Sequence, residues 1–122
     1  MKSNNIYIRT EEFAVLTVSF LQKVPKTIIT LPIIRQLVRS STSVGANVSE
    51  AKNAHTKKEF IQKMTIALKE ADETAYWFRI LKKSNVLIQY EQDLDILSKE
   101  NGEIIAMLIK IVKSSKESEN RN

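Results

Sequence analysis

"TKKEFIQKMTIALKEADETAYWFRILKK", residues 56–83, sets the architecture. Phe60, Met64, Ala67, Ala71, Thr74, Phe78 and Leu81 recur at alternating steps of four and three. That is the spacing of one face of an α-helix. Thr56-Lys-Lys-Glu59 has the form of a capping box, which predicts a helix over 57–83. A helix with one long apolar stripe needs other helices to cover it.

The flanking segments supply them. Downstream, Leu94, Leu97, Asn101, Ile104, Leu108 and Ile111 predict a helix over 89–114. Upstream, Ile34, Leu37, Ser41, Val44, Val48 and Ala51 predict one over 31–53, with Thr30 as cap and Pro32 tolerated in the first turn. Nearer the start, Thr10 reads as an N-cap, followed by Glu11 and Glu12, then Phe13, Leu16, Phe20 and Val24. Pro25 stops that helix, placing it over 10–24. No segment alternates with period two, and the connections are short. The expected fold is therefore an all-α, up-down-up-down antiparallel four-helix bundle, one domain over 1–122 with a flexible tail at 115–122.

Composition narrows the functional classes. The chain has 122 residues, two glycines, two prolines and no cysteine. Disulfides, iron–sulfur clusters and thiolate zinc sites are excluded, and a reducing compartment fits. The start "MKSNNIYIRTEEF" has no apolar leader core, and the longest uninterrupted apolar run, "IIAMLI", is too short for a membrane span. The expected address is the cytoplasm, with no membrane partner. Residues 1–84 hold 14 Lys/Arg against 7 Asp/Glu, whereas residues 85–122 hold 5 against 7. That asymmetry suits a polyanionic partner for the first part of the chain.

The weakest helix-forming stretch, "RSSTSVGANVSEA" at 39–51, falls in the middle of the second helix. Its seam is built from small residues, so Gly45 and Ala46 are expected where another backbone comes close. Asn47 and Glu50 lie one turn apart beside Val48 and Ala51, a placement that suggests a polar network fixing helix register.

Catalytic chemistry finds little support. A di-metal bundle needs glutamates and Glu-x-x-His pairs, but the lone histidine, His55, falls in a linker. The two glycines stand apart at 45 and 102, so there is no phosphate-cradling loop. Nor can a nucleophile triad be assembled around His55. The expectation is a non-enzymatic protein with no metal and no cofactor.

Residues 36–87 resemble the family described simply as four-helix bundle protein, also called the large-subunit ribosomal RNA intervening-sequence protein family. The matching motifs are Asn47, Val48, Glu50 and Ala51, then Lys57, Lys58, Glu59 and Phe60, then "ALKEADETAYWFRILKK". The resemblance implies a small helical bundle without an assigned activity. A related branch, the accessory variability protein of diversity-generating retroelements, implies a homopentamer with a basic surface that binds nucleic acid and a reverse transcriptase.

Two expectations about partners follow. On the third helix Lys58, Gln62, Thr65, Lys69, Asp72, Tyr76, Arg79 and Lys83 form a second stripe opposite the core seam. With Arg35, Arg39, Lys52 and Lys57 this stripe is the candidate surface for RNA or DNA, read electrostatically and without sequence preference. The alternative is a scaffold or protein-interaction module whose basic face is only solvated. The apolar flanks of the third and fourth helices are wider than a monomer needs, which points to a homo-oligomer.

Overall fold

The computed structural model of the protein describes residues 3–121. It comprises α1 (Ile6–Lys23), α2 (Thr30–Lys52), α3 (Lys57–Ser84) and α4 (Glu91–Arg121), with a 3-10 turn, Ile88–Tyr90, leading into α4. α1 packs on α2 and α4, and α3 packs on the same two helices. α1 and α3 therefore stand at opposite corners. Side-chain pairings run in opposite sequence directions between neighbours, as antiparallel helices require. Ser40 meets Thr74 while Glu50 meets Lys63, and Asn101 meets Ala71 while Asp95 meets Lys82. On the other side Arg9 meets Glu100 while Lys23 meets Tyr90.

Local chemistry fixes the helix ends. α1 begins one turn earlier than Thr10, because Asn5 Oδ1 accepts from the backbone N–H groups of Tyr7 (2.9 Å) and Ile8 (3.3 Å). Thr10 is inside the helix and buried, its hydroxyl donating to Ile6 O at 2.7 Å. Thr30 is likewise not the main cap of α2. Thr27 Oγ1 accepts from the Thr30 N–H, and Thr30 Oγ1 accepts from the Thr27 N–H, a reciprocal pair at the turn. Thr56 does cap α3 by accepting from Glu59 N–H at 3.1 Å, while the Glu59 carboxylate reaches His55 N–H at 3.2 Å. α3 ends at Asn85, in the left-handed region at φ 61°. α4 does not stop at 114 but runs to Arg121, and Lys57 Nζ donates to Ser118 Oγ (3.0 Å) beyond that point. The expected tail is thus helical as far as Arg121, and residue 122 lies outside the described residues.

The core forms from the expected seams with small changes of phase. Ile34, Leu37, Ser41, Val44, Val48 and Ala51 of α2 are all buried, as are Met64, Ala67, Ala71, Thr74, Phe78 and Leu81 of α3. Phe13 and Phe78 meet edge to face near the centre. In α1, Thr17 rather than Leu16 enters the core, because the seam actually runs Ile6, Thr10, Phe13, Thr17, Phe20. Phe60 and Ile111 are half-buried, and Val112 is buried at the end of α4.

The weak stretch of α2 is explained at Gly45. A Cβ there would lie 3.3 Å from the backbone oxygen of Thr10, so α1 rests directly on the glycine. Ala46, expected to share that contact, is exposed. The hydroxyls of Thr42 and Ser43 donate to Val38 O and Arg39 O within the helix (2.7 and 2.6 Å). Asn47 Nδ2 donates to Ser43 O (2.8 Å), and exposed Glu50 lies 3.5 Å from Lys63 Nζ. The network expected at Asn47 and Glu50 is therefore not formed between them. Each precedes a seam residue by one position, about 100° round the helix, which puts both at its margin. Buried polar links occur elsewhere: Thr74 Oγ1 donates to Ser40 Oγ (2.9 Å), and Asn101 Nδ2 donates to Ala71 O (3.0 Å).

Candidate nucleic-acid interface

α3 presents its outer stripe because its seam residues face the other helices. Lys58, Gln62, Lys69, Asp72, Tyr76, Arg79 and Lys83 are exposed, and Thr65 is half-buried with its hydroxyl donating to Ile61 O. The Arg79 guanidinium lies 5.8 Å from the Tyr76 ring centroid, and that ring meets Trp77 edge-on. An aromatic face beside a cation suits a stacked base next to a phosphate.

The remaining expected cations are not equivalent. Arg35 is exposed on α2. Lys52 Nζ lies 5.4 Å from the Tyr7 ring centroid, and Lys57 is tied to Ser118. Arg39 is engaged by α3: Nη1 is 3.0 Å from Glu70 Oε2, and Nη2 pairs closely with Glu73 Oε2. Trp77 Nε1 donates to the same Glu73 oxygen at 3.0 Å. That Trp77 bond first, then Arg39, holds the Glu73 carboxyl below its ordinary range, while Glu73 raises the Arg39 guanidinium. Arg39 is thus an α2–α3 clasp.

Sequence reasoning passed over a buried cation, Arg9. Arg9 is 7% exposed and reaches α4, with Nε 2.7 Å from Glu100 Oε2 and Nη2 2.6 Å from Glu103 Oε1. Hydrogen bonding to Glu100 raises its already high pKa further. Extending the α1 seam backwards from Phe13 lands on Ile6, Arg9 and Thr10, which is the signal that could have found it.

The chemistry of the surface is that of charge presentation. A shallow open groove of about 450 Å³ between α1 and α2 is lined by Tyr7, Glu11, Ala14, Gly45 and Lys52, among others. Among the described residues, no group of three or more His, Cys, Asp or Glu could hold a metal ion. No described helix is long and apolar enough to cross a membrane.

Four antiparallel helices around one core, with unpaired charge on the outside, define a small helical-bundle protein. The chain belongs to the 23S rRNA-intervening sequence protein family, whose model matches residues 2–110. It is similar to a solved protein of unknown function from the S23 ribosomal protein family of Bacteroides thetaiotaomicron. The two are 32% identical with a TM-score of 0.77, and the match covers 89% of this chain and 99% of that one. No curated protein matches the sequence.

Proposed function

We propose that this is a non-enzymatic, self-associating bundle that binds RNA or DNA electrostatically, without sequence preference. The observation that carries the reading is the exposed stripe on α3, above all Tyr76, Arg79 and Lys83, where a ring and cations lie along one line. Lys and Arg contacts to phosphate position a strand without reading it, so different sequences should bind alike. In an oligomer the stripe repeats on every subunit, and weak sites combine through avidity. By its resemblance the assembly would be a pentamer acting as an accessory factor, with a reverse transcriptase as one class of protein partner.

The test uses unrelated RNA and DNA oligonucleotides at low salt. Arg79→Glu with Lys83→Glu should lower affinity at least about tenfold, with helical signal and oligomer size retained. If the parent binds neither nucleic acid, or the double variant binds as well as the parent, the face is only solvated. The scaffold alternative would then stand.

A further inference from the structure

Tyr76 stands on the outermost line of α3, opposite the core seam, with its side chain 45% exposed. Lys69, Tyr76 and Lys83 are spaced seven residues apart. At 100° per residue that spacing drifts only about 20° per step and rises about 10 Å, so a cation stands on either side of the ring. The ring is braced rather than loose. Trp77 meets it edge-on at a centroid distance of 5.0 Å, and the Arg79 guanidinium lies 5.8 Å from its centre. Trp77 is itself held, because its Nε1 donates to Glu73 Oε2 at 3.0 Å and the same oxygen pairs with Arg39 of α2.

Charge changes sign along the line. Exposed Asp72, one turn before Tyr76, disfavours a phosphate at the level of the ring. Phosphates are drawn instead to Lys69 on one side and to Arg79 and Lys83 on the other. What Tyr76 offers between them is a π-face. A duplex keeps its bases stacked on one another and shows only their edges in its grooves, so it has nothing for such a face to meet. An unpaired strand has bases free to turn out and stack on an aromatic side chain beside an arginine.

We infer that this face takes an unpaired nucleic-acid strand, RNA or DNA, with one base stacked on Tyr76 and the flanking phosphates on Lys69, Arg79 and Lys83. The inference rests on the proposed nucleic-acid function and deepens it, from a charged surface to one that selects strandedness. Every base has a π-face, so sequence stays unread. Charge alone would favour the opposite order, because a duplex carries about one negative charge per 1.7 Å of axis, roughly twice the density of a single strand.

Fluorescence anisotropy of the full chain at low salt tests it with three ligands of equal length. These are an unstructured single strand, its duplex, and the single strand with abasic sites in place of its bases. The parent should bind the intact strand at least about fivefold tighter than either of the others. Ribose and deoxyribose strands should show the same order, since stacking does not touch the 2′-hydroxyl. Tyr76→Ala should bind intact and abasic strands alike, with the parental salt slope because no charge is removed. Tyr76→Trp should keep the preference. Arg79→Glu with Lys83→Glu should instead weaken all three ligands together, with far-UV circular dichroism as the control for folding. A parent that binds the duplex at least as tightly as the intact strand overturns base stacking at Tyr76 while electrostatic binding stands. So does a Tyr76→Ala protein that still separates intact from abasic strands. A parent that binds none of the three overturns the proposed function, and this inference with it.

Discussion

Arg9 and Arg79 show one side chain put to two uses. Arg9 lies between α1 and α4, its fork occupied by Glu100 and Glu103 and almost sealed from water. Arg79 stands on the outside of α3 with a tyrosine ring as its neighbour. The first joins α1 to α4 through its two carboxylates, whereas the second is open to an incoming anion. The gross count of 19 Lys and Arg therefore overstates what a polyanion can use, because Arg9 and Arg39 are already matched by carboxylates. Only the cations left outside such pairs count toward binding.

The buried side of this comparison carries the largest expected effect. Arg9→Met removes the cation from a buried ion pair and should cost about 3–5 kcal/mol in urea denaturation. A loss below about 1 kcal/mol would mean that the pair is solvated and that α1 is held by apolar contact alone. Next comes Gly45→Leu. Its side chain must displace the α1 backbone, so overpacking of about 1–3 kcal/mol should exceed the ~1 kcal/mol that helix propensity returns. A variant more stable than the parent would contradict the close approach of α1 and α2.

Smaller effects sharpen the contrast on the surface. Glu73 has a depressed folded-state pKa, so it contributes stability above the ordinary carboxylate range. That contribution should disappear as pH falls through the folded pKa. Glu73→Gln should flatten this part of a stability-versus-pH curve, and an unchanged acid limb would remove the clasp from the account. Smallest of all, Lys69→Ala should change monomer stability by no more than about 0.5 kcal/mol, as expected for an exposed side chain away from the core.

The division between legible and hidden features follows the range of the interactions. Seams on α2 and α3 could be read directly, because helical period and burial agree at Leu37, Val44, Met64 and Phe78. The Thr56 cap was legible for the same local reason. The start of α1 was misplaced because two residues competed for the cap: Asn5 satisfies the first N–H groups, and Thr10, though a good capping residue, bonds back to Ile6 O. Leu16 and Thr17 exchanged places because one step of phase decides which of two adjacent residues faces inward. The outer stripe of α3 was placed correctly as a face. Which cations remained usable was not legible, since Arg39 depends on Glu70 and Glu73 from another helix and Arg9 on carboxylates about ninety residues away in sequence.

The most direct measurement is the salt dependence of binding to a single-stranded oligonucleotide, followed by fluorescence anisotropy for the parent, Arg39→Gln and Arg79→Gln with Lys83→Gln. Each phosphate contact contributes about 0.7 to the slope of log affinity against log salt. The account predicts that the double variant has a slope about 1.4 shallower per binding subunit, whereas Arg39→Gln keeps the parental slope because that guanidinium is held by Glu70 and Glu73. A parental slope in the double variant, or a shallower one in Arg39→Gln, would contradict the assignment of free and engaged cations.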